Sequence, residues 1–215
     1  MFDDHDQVRK GGQKARFCAG EPAYHKLLLN VLALNATTLG IPCFYYGSEQ
    51  GFDGEGDSDR YIREAMFGGE FGAFRSRNRH FFDKDNPVYR ELSRILALRK
   101  QKIALRRGRQ YLRQISGDGQ NFGYPMAMGG RMLSVVAWSR YFADQNLLLA
   151  LSTDPDGPRA AWVEVDARMY PIGTQLTCLY SSDPAQIGQT LEVQQAGERH
   201  AVRLSLPAEG FAVCE

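Results

Sequence analysis

Two short stretches of this sequence concentrate the side chains that could do chemistry. The first is Phe2-Asp3-Asp4-His5-Asp6, in which an apolar start leads into consecutive titratable groups. The second is residues 40–54, in which a polar, acidic loop follows an apolar run. Carboxylates accept hydrogen bonds from hydroxyl groups, and an imidazole can donate or accept them. The two stretches are therefore the candidate site, and the surrounding elements must position them.

The segments that carry these residues have the pattern of a parallel sheet. Residues 41–46 lack polar alternation and lie between Gly40 and Gly47, which is typical of a strand buried on both faces. Residues 22–39 repeat apolar side chains at helical spacing. Residues 1–47 therefore predict a strand, a helix and a strand, as in a right-handed βαβ unit. In barrel enzymes, the polar loops after such strands hold substrate-facing residues.

The run Phe2-Asp3-Asp4-His5-Asp6 resembles the seventh-strand motif of the α-amylase family of glycoside hydrolases. Residues 40–54 resemble the eighth strand of that family and its following loop. The order of the two motifs, their separation and the intervening helix are also similar. The resemblance extends over nearly the whole chain and is specific in the first half. Asp4 departs from the pattern, because the family usually has Asn at that position.

The resemblance implies roles for individual residues. Asp6 would stabilise the transition state, and His5 would donate a hydrogen bond to a substrate hydroxyl. An ionised carboxylate can accept hydrogen bonds from two hydroxyls at once. It also stabilises the positive charge of an oxocarbenium-like transition state. We expect further substrate contacts from Asp4, Glu49 and Arg60.

The resemblance also implies that the nucleophile and the general acid are missing. A retaining glycosidase needs two carboxyl groups about 5–5.5 Å apart. In the family these groups follow the fourth and fifth barrel strands, and no segment of this chain matches their motifs. We therefore expect residues 1–108 to be the C-terminal part of a (β/α)8 TIM barrel, its seventh and eighth strand–helix units. The isolated chain is expected to be inactive.

A change of pattern near Gly108 predicts a second domain. Residues 88–107 have the spacing of a long helix, which Gly108 would end. After Gly108, β-rich runs predict an antiparallel β-sandwich of about eight strands over residues 109–215. Together with the barrel portion at residues 1–108, this gives a fold class of α/β plus all-β. The α-amylase family has a similar all-β domain after its barrel. The β-rich runs are residues 110–115, 132–138, 147–152, 161–165, 175–180, 190–194, 201–206 and 211–214.

Three loop segments carry charged or aromatic side chains. The basic run at residues 9–16 is predicted to be a solvated connector. Residues 53–64 place acids as in a calcium-binding EF-hand, but Ser58 and Arg60 break that motif. We expect a solvated loop there, with a short helix over residues 60–67. Residues 68–85 combine phenylalanines with arginines, which suits either sugar binding or packing of the loop.

The composition of the 215-residue chain argues against several classes of function. The net charge is +1 and 24% of the residues are charged, so we expect no nucleic-acid partner. No apolar run has the length of a membrane span. The four cysteines lack a zinc-binding spacing, and we expect no metal or other cofactor. No signal peptide is evident, but the N-terminus has the pattern of a truncated one, so the compartment stays open with the cytoplasm favoured.

Three functions remain open. The first is a C-terminal fragment of an α-amylase-family hydrolase or transglycosylase that acts on an α-glucan or α-glucoside. The second is an oligosaccharide-binding module that uses Tyr170, Tyr180 or Trp162. The third is one half of a split enzyme, completed by the missing N-terminal barrel portion. We expect residues 1–80 to be marginally stable alone, whereas residues 109–215 should fold independently.

Overall fold

The computed structural model describes residues 2–6, 8–10, 13–20, 22–67 and 82–215. The chain divides into two compact units, of which the first ends at Leu98 and the second begins at Arg99. This division precedes Gly108, where the change of sequence pattern predicts the boundary. The assignment of the two parts to a barrel and a sandwich domain stays a prediction at this point.

The first unit contains a long helix and a small antiparallel sheet. Helix α1 comprises Pro22–Thr37, close to the predicted span. A second helix, α2, comprises Pro87–Gln101 and crosses the division between the units. The sheet has the strand order β1-β2-β3, and single turns of 3-10 helix occur at Ser48–Gln50 and Asp59–Tyr61. Its strands are β1 (Val8–Lys10), β2 (Gln13–Ala15) and β3 (Glu55–Gly56).

Helix α1 is held by an apolar cluster. Leu28 and Leu32 of α1 are buried in one cluster with Cys18 and Leu92. Three partly buried phenylalanines pack against this cluster. Burial of apolar side chains stabilises a helix more than intrinsic propensity does. The phenylalanines that pack against the cluster of α1 are Phe2, Phe17 and Phe44.

The two predicted strands of the first unit are absent from its described residues. Residues 2–4 and 41–45 have no regular secondary structure. A strand needs a hydrogen-bonded neighbour, and the ladders of this unit join β1, β2 and β3 instead. The predicted βαβ unit is therefore wrong for this structure, and so is the predicted helix at residues 60–67, where a 3-10 turn, Asp59–Tyr61, forms.

The predicted long helix at residues 88–107 is two helices. The side chain of Asn86 caps α2 by accepting a hydrogen bond from the backbone N–H of Val88 at 2.9 Å. Lys102 has φ −96° and ψ 108°, an extended conformation that ends α2. Helix α3, Ile103–Arg107, follows at once. One extended residue leaves the apolar spacing on both sides intact, so the sequence pattern does not reveal the break.

The second unit contains two antiparallel sheets. The six-stranded sheet has the order β10-β9-β13-β7-β6-β4, and the four-stranded sheet has the order β11-β12-β8-β5. The strands are β4 (Arg109–Arg113), β5 (Ile115–Ser116), β6 (Val135–Phe142), β7 (Gln145–Ser152), β8 (Arg159–Glu164), β9 (Gln175–Ser181), β10 (Thr190–Glu192), β11 (Gln194–Ala196), β12 (Arg199–Leu206) and β13 (Phe211–Cys214).

Two of the predicted strands change sheets along their length. The run at residues 110–115 becomes β4 in the larger sheet and then β5 in the smaller one. The run at residues 190–194 divides in the same way into β10 and β11. A strand that passes from one sheet to the other is a corner of a β-sandwich. The predicted runs therefore overlap the observed strands, although the run at residues 132–138 begins and ends before β6 does. Each corner forms one strand in each sheet.

The core of the second unit lies on residues that alternate along the strands. In β12, Val202 and Leu204 are buried in this core, whereas Arg203 between them is exposed. Tyr170 joins the same core, and Tyr180 is buried against the ring of Phe211 at a centroid distance of 5.8 Å. The two tyrosines therefore fill the interior and do not form an exposed platform for a sugar.

Among the residues that the structure describes, none of the helices combines the length and apolar character of a membrane-spanning segment.

Candidate functional site

The carboxylate of Asp6 is held in place and remains open to solvent. Its two oxygens contact Nε2 of His5 at 2.9 Å and Nη2 of Arg63 at 2.9 Å. The backbone N–H of Asp6 donates to the carboxylate of Asp4 at 2.7 Å, which fixes the turn. The side chain of Asp6 is still 62% exposed. Asp6 can therefore accept hydrogen bonds from hydroxyl groups of a ligand without first being reoriented.

Two cations position the turn that carries Asp6. The guanidinium of Arg63 also donates to the backbone carbonyl of His5 at 3.1 Å and to Asp59 at 3.0 Å. Lys14 of β2 donates to the backbone carbonyl of Asp6 at 3.0 Å and pairs with Asp59 at 2.9 Å. The hydrogen bond from Lys14 lowers the pKa of Asp59. Asp59 thus stays ionised and holds both cations beside the turn.

Asp3 anchors the same stretch from inside. Its carboxylate is buried and accepts hydrogen bonds from the backbone N–H of Phe17 at 2.6 Å and the hydroxyl of Ser48 at 2.7 Å. Ser48 directly follows Gly47 at the start of the polar loop. The buried carboxylate therefore ties the acidic run to the second candidate stretch, because each of its oxygens has a partner from a different segment.

A buried ion pair supports the second stretch. Nε of Arg16 donates to the carboxylate of Glu64 at 2.8 Å, and both side chains are buried. The Arg16 guanidinium also donates to the carbonyl of Tyr46 at 2.8 Å and lies 4.4 Å from the ring centroid of Tyr45. Burial raises the pKa of Glu64, and the charge of Arg16 opposes this shift. Removing either partner would leave a buried charge unpaired.

The structure brings some of the predicted site residues together and leaves others apart. Asp4, His5 and Asp6 form one hydrogen-bonded turn. Glu49 lies half-buried in the 3-10 turn Ser48–Gln50, where burial raises its pKa. The guanidinium of Arg60 donates to the hydroxyl of Tyr61 at 3.0 Å and lies over its ring. The described contacts of the Asp6 carboxylate are with His5 and Arg63, and the roles of Glu49 and Arg60 as substrate contacts stay predictions.

Several residues that organise the site were not predicted from the sequence. The prediction of a solvated connector at residues 9–16 is wrong at Arg16, which is buried in an ion pair. Its partner Glu64 lies at residues 60–67, for which the sequence predicted a short helix and no ion pair. The one available signal was the alternation of charges along residues 53–64, which holds both Asp59 and Glu64. The pairing of Glu64 with Arg16 and that of Asp59 with Lys14 could not be predicted, because the partners are distant in the chain.

Two other sequence hypotheses concern loops and metals. Most of the phenylalanine- and arginine-rich segment, residues 68–81, lies outside the described residues, so its role stays open. Of its remainder, Phe82 contacts the ring of Tyr89 at a centroid distance of 5.1 Å, which suits packing.

Within the described ranges, no group of three or more His, Cys, Asp or Glu side chains is placed to hold a metal ion.

Comparison with known proteins identifies relatives by sequence. No protein-family model matches the chain. An α-amylase from Streptomyces lividans is 36% identical over 80 residues, which cover 33% of this chain and 9% of that protein. A cyclomaltodextrin glucanotransferase from Niallia circulans is 26% identical over 129 residues, covering 60% of this chain and 16% of that protein. The chain thus spans only a small part of these curated relatives.

Comparison with solved structures finds a similar fold in several enzymes. Eubacterium rectale Amy13B has a TM-score of 0.58 at 16% identity, covering 93% of this chain and 36% of that chain. The α-amylase from H. orenii has a TM-score of 0.56 at 17% identity, covering 91% and 36%. The γ-CGTase from Alkalophilic bacillus clarkii has a TM-score of 0.56 at 18% identity, covering 91% and 23%. In sequence this chain is similar to an α-amylase and a cyclomaltodextrin glucanotransferase, and in fold it is similar to enzymes of the same kind.

Proposed function

We propose that this chain is the C-terminal part of an α-amylase-family hydrolase or transglycosylase and that Asp6 binds its α-glucan substrate. In this proposal, residues 1–108 correspond to the end of a catalytic barrel and residues 109–215 to the all-β domain that follows. The observation that carries the proposal is the Asp6 carboxylate, which His5 and Arg63 hold in place although it is 62% exposed. The similarity to α-amylase and cyclomaltodextrin glucanotransferase supports the class of substrate.

The chemistry of the turn suits a bound glucose ring. An ionised carboxylate accepts hydrogen bonds from neighbouring hydroxyls, and these are stronger than bonds between neutral groups. The same negative charge stabilises the positive charge that develops at the anomeric carbon in an oxocarbenium-like transition state. His5, whose Nε2 contacts Asp6 at 2.9 Å, lies beside the carboxylate and can donate to a further hydroxyl.

The proposal assigns the bond-breaking groups to another part of the enzyme. Retaining hydrolysis needs a nucleophile and a general acid about 5–5.5 Å apart, and the proposal is that neither belongs to this chain. The chain spans 9% and 16% of its two curated relatives. We therefore propose that this chain alone binds an α-glucan without cleaving it, and that the missing barrel portion completes the site.

Binding of maltopentaose to the full chain, measured by isothermal titration calorimetry, tests the role of Asp6. Asp6→Asn should weaken binding about tenfold, because a charge-assisted hydrogen bond becomes a neutral one. Asp57→Asn is the matched control, since Asp57 is an exposed acid of the polar loop and is no partner of the Asp6 turn. Equal loss of affinity in both variants would rule out a specific role of Asp6.

Hydrolysis of a panel of chromogenic α-glucosides tests the assignment of the missing groups. The unmodified chain should give no turnover above the buffer rate, whereas it should still bind maltopentaose. Turnover that Asp6→Asn abolishes would show that other carboxylates of this chain perform the chemistry. The statement that the chain lacks a nucleophile and a general acid would then be wrong.

A further inference from the structure

A cleft in the second unit lies outside every site described so far. It has a volume of 430 Å³ and is formed by residues of β4, the end of β6 and the segment after β8. Its polar lining is dominated by guanidinium groups and tyrosine rings. The residues that matter here are Arg107, Arg109, Arg113, Tyr111, Tyr141 and Asp166.

The strand pattern places these side chains on one face. Arg109, Tyr111 and Arg113 alternate along β4, and alternate residues of a strand point to the same side. β4 is the edge strand of the six-stranded sheet, and it pairs with β6 so that Arg109 lies opposite Tyr141. The rings of Tyr111 and Tyr141 contact each other at a centroid distance of 5.4 Å. Tyr111 remains 45% exposed, so one ring is available to a ligand.

Arg113 is held in a fixed orientation within the cleft. Its Nε donates to the hydroxyl of Ser139 at 2.7 Å, and its Nη2 donates to the hydroxyl of Tyr141. Its guanidinium also lies 5.4 Å from the ring centroid of Tyr141. A guanidinium carries five N–H donors, so donors of Arg113 remain for a ligand. A fixed planar donor loses little entropy when a ligand binds.

The charge of the cleft selects an anion. Arg107 and Arg109 are exposed, and neither forms an ion pair with any residue in the described part of the chain. Asp166 is the acidic residue of the lining, and it already contacts Nε of Arg168 at 3.6 Å. The lining therefore holds three guanidinium groups and one carboxylate. Guanidinium groups match the oxygens of phosphate in a bidentate geometry.

We propose that this cleft binds a phosphate monoester carried on a sugar. The arginines bind the phosphate, and the exposed ring of Tyr111 packs against the apolar face of the sugar. Neutral saccharides would leave the positive charge of the cleft without a partner. The proposal does not depend on Asp6, which lies in the first unit. The phosphate can belong to a free sugar phosphate or to a phosphorylated glucan, since both present the same group.

Titration of the full chain with glucose 6-phosphate, inorganic phosphate and glucose tests this proposal. We expect glucose 6-phosphate to bind most tightly, inorganic phosphate more weakly, and glucose not at all in this cleft. Arg109→Gln should weaken binding of glucose 6-phosphate about tenfold, because a charge-assisted bond is lost. Tyr111→Ala should remove the advantage of glucose 6-phosphate over inorganic phosphate.

Arg131→Gln is the matched control, because Arg131 is an exposed arginine of the same unit that does not line the cleft. Equal loss of affinity in Arg131→Gln and Arg109→Gln would overturn the proposal, since it would indicate general attraction by positive charge. Binding of glucose as tight as that of glucose 6-phosphate would also overturn it. A phosphorylated dextrin that binds more tightly than glucose 6-phosphate would identify a glucan as the source of the phosphate, and equal affinities would favour the free sugar phosphate.

Discussion

Neighbouring acids at the start of the chain have opposite environments. Asp3 is buried with a partner for each carboxylate oxygen. Asp6 is mostly exposed, and His5 and Arg63 contact its carboxylate. A buried carboxylate must be fully hydrogen-bonded, because an unpaired one is costly. The two residues therefore differ in what they contribute. Asp3 joins segments of the first unit, and Asp6 is the acid available to a ligand.

Asp154 makes the stability of the second unit dependent on pH. Its buried carboxylate accepts hydrogen bonds from the backbone N–H groups of Asp156 and Gly157 and pairs with Arg159 at 2.6 Å. The bond from Asp156 is the largest cause of its lowered pKa. The ionised form is therefore favoured in the folded state. Its contribution is present above the unfolded pKa of about 3.9 and is lost as the pH falls through the folded value.

Asp154→Asn should lower the free energy of unfolding at pH 7 by about 2 kcal/mol, because hydrogen bonds to a charged group are lost. Urea unfolding at a series of pH values from neutral to about 2 measures this difference. The gap between the two proteins should shrink as the pH falls. Asp144→Asn, which changes an exposed acid between β6 and β7, is the control. A gap that stays constant with pH would contradict the role of the ionised carboxylate.

The connection between α3 and β4 leaves no room for a side chain. A Cβ atom at Gly108 would lie 2.4 Å from the carbonyl oxygen of Ala104 and 2.7 Å from that of Tyr141. Both are backbone atoms, so neither can move aside as the end of a flexible side chain could. Gly108 has φ −71°, which any residue adopts, and the requirement for glycine is therefore one of space.

Gly108→Ala should destabilise the second unit by about 1–3 kcal/mol, the usual cost of forcing atoms into a packed site. Gly117→Ala is the control, because a Cβ there would meet nothing within 4 Å. We expect the control to change stability by less than about 0.5 kcal/mol. The midpoints of urea unfolding give both values. Equal midpoints for the two variants would show that the connection can adjust without cost.

The apolar clusters described in the two units differ in size. The second unit has an extended core that both sheets contribute to, whereas the described cluster of the first unit has four buried residues, Cys18, Leu28, Leu32 and Leu92. The stability of a folded unit rises with the apolar area that it buries. Backbone amides open to hydrogen exchange least often where such burial is extensive. Amides of the second unit should therefore be better protected from hydrogen exchange than those of the first.

Hydrogen exchange of the full chain, followed by mass spectrometry, tests this difference. Amides of β7, β12 and β13 should exchange more slowly than those of α1, because the strands lie in the larger core. A ratio of at least about tenfold corresponds to a difference of 1.4 kcal/mol in opening free energy. Protection of α1 to the level of β7 would contradict the expectation that, within the full chain, the first unit opens more readily than the second.

Local sequence pattern determined the helix α1 and the strands of the second unit. Alternation of apolar and polar residues depends on neighbours two positions apart, so it can be read without knowing the partner strand. The proximity of Asp4, His5 and Asp6 could also be predicted, because the three residues are adjacent in the chain. The predicted strand end at the start of the chain and the predicted strand at residues 41–46 are wrong, because strand formation also requires a partner, which apolar spacing does not reveal.

Only the tertiary structure decided the partners of the site residues. Arg16 and Glu64 are 48 positions apart, and Asp3 and Ser48 are 45 positions apart. The cleft of Arg109, Tyr111 and Arg113 needs the segment that contains Asp166. Such pairs depend on how distant segments pack, because burial and charge act through space. The sequence alone shows which groups are available, and folding determines which of them meet.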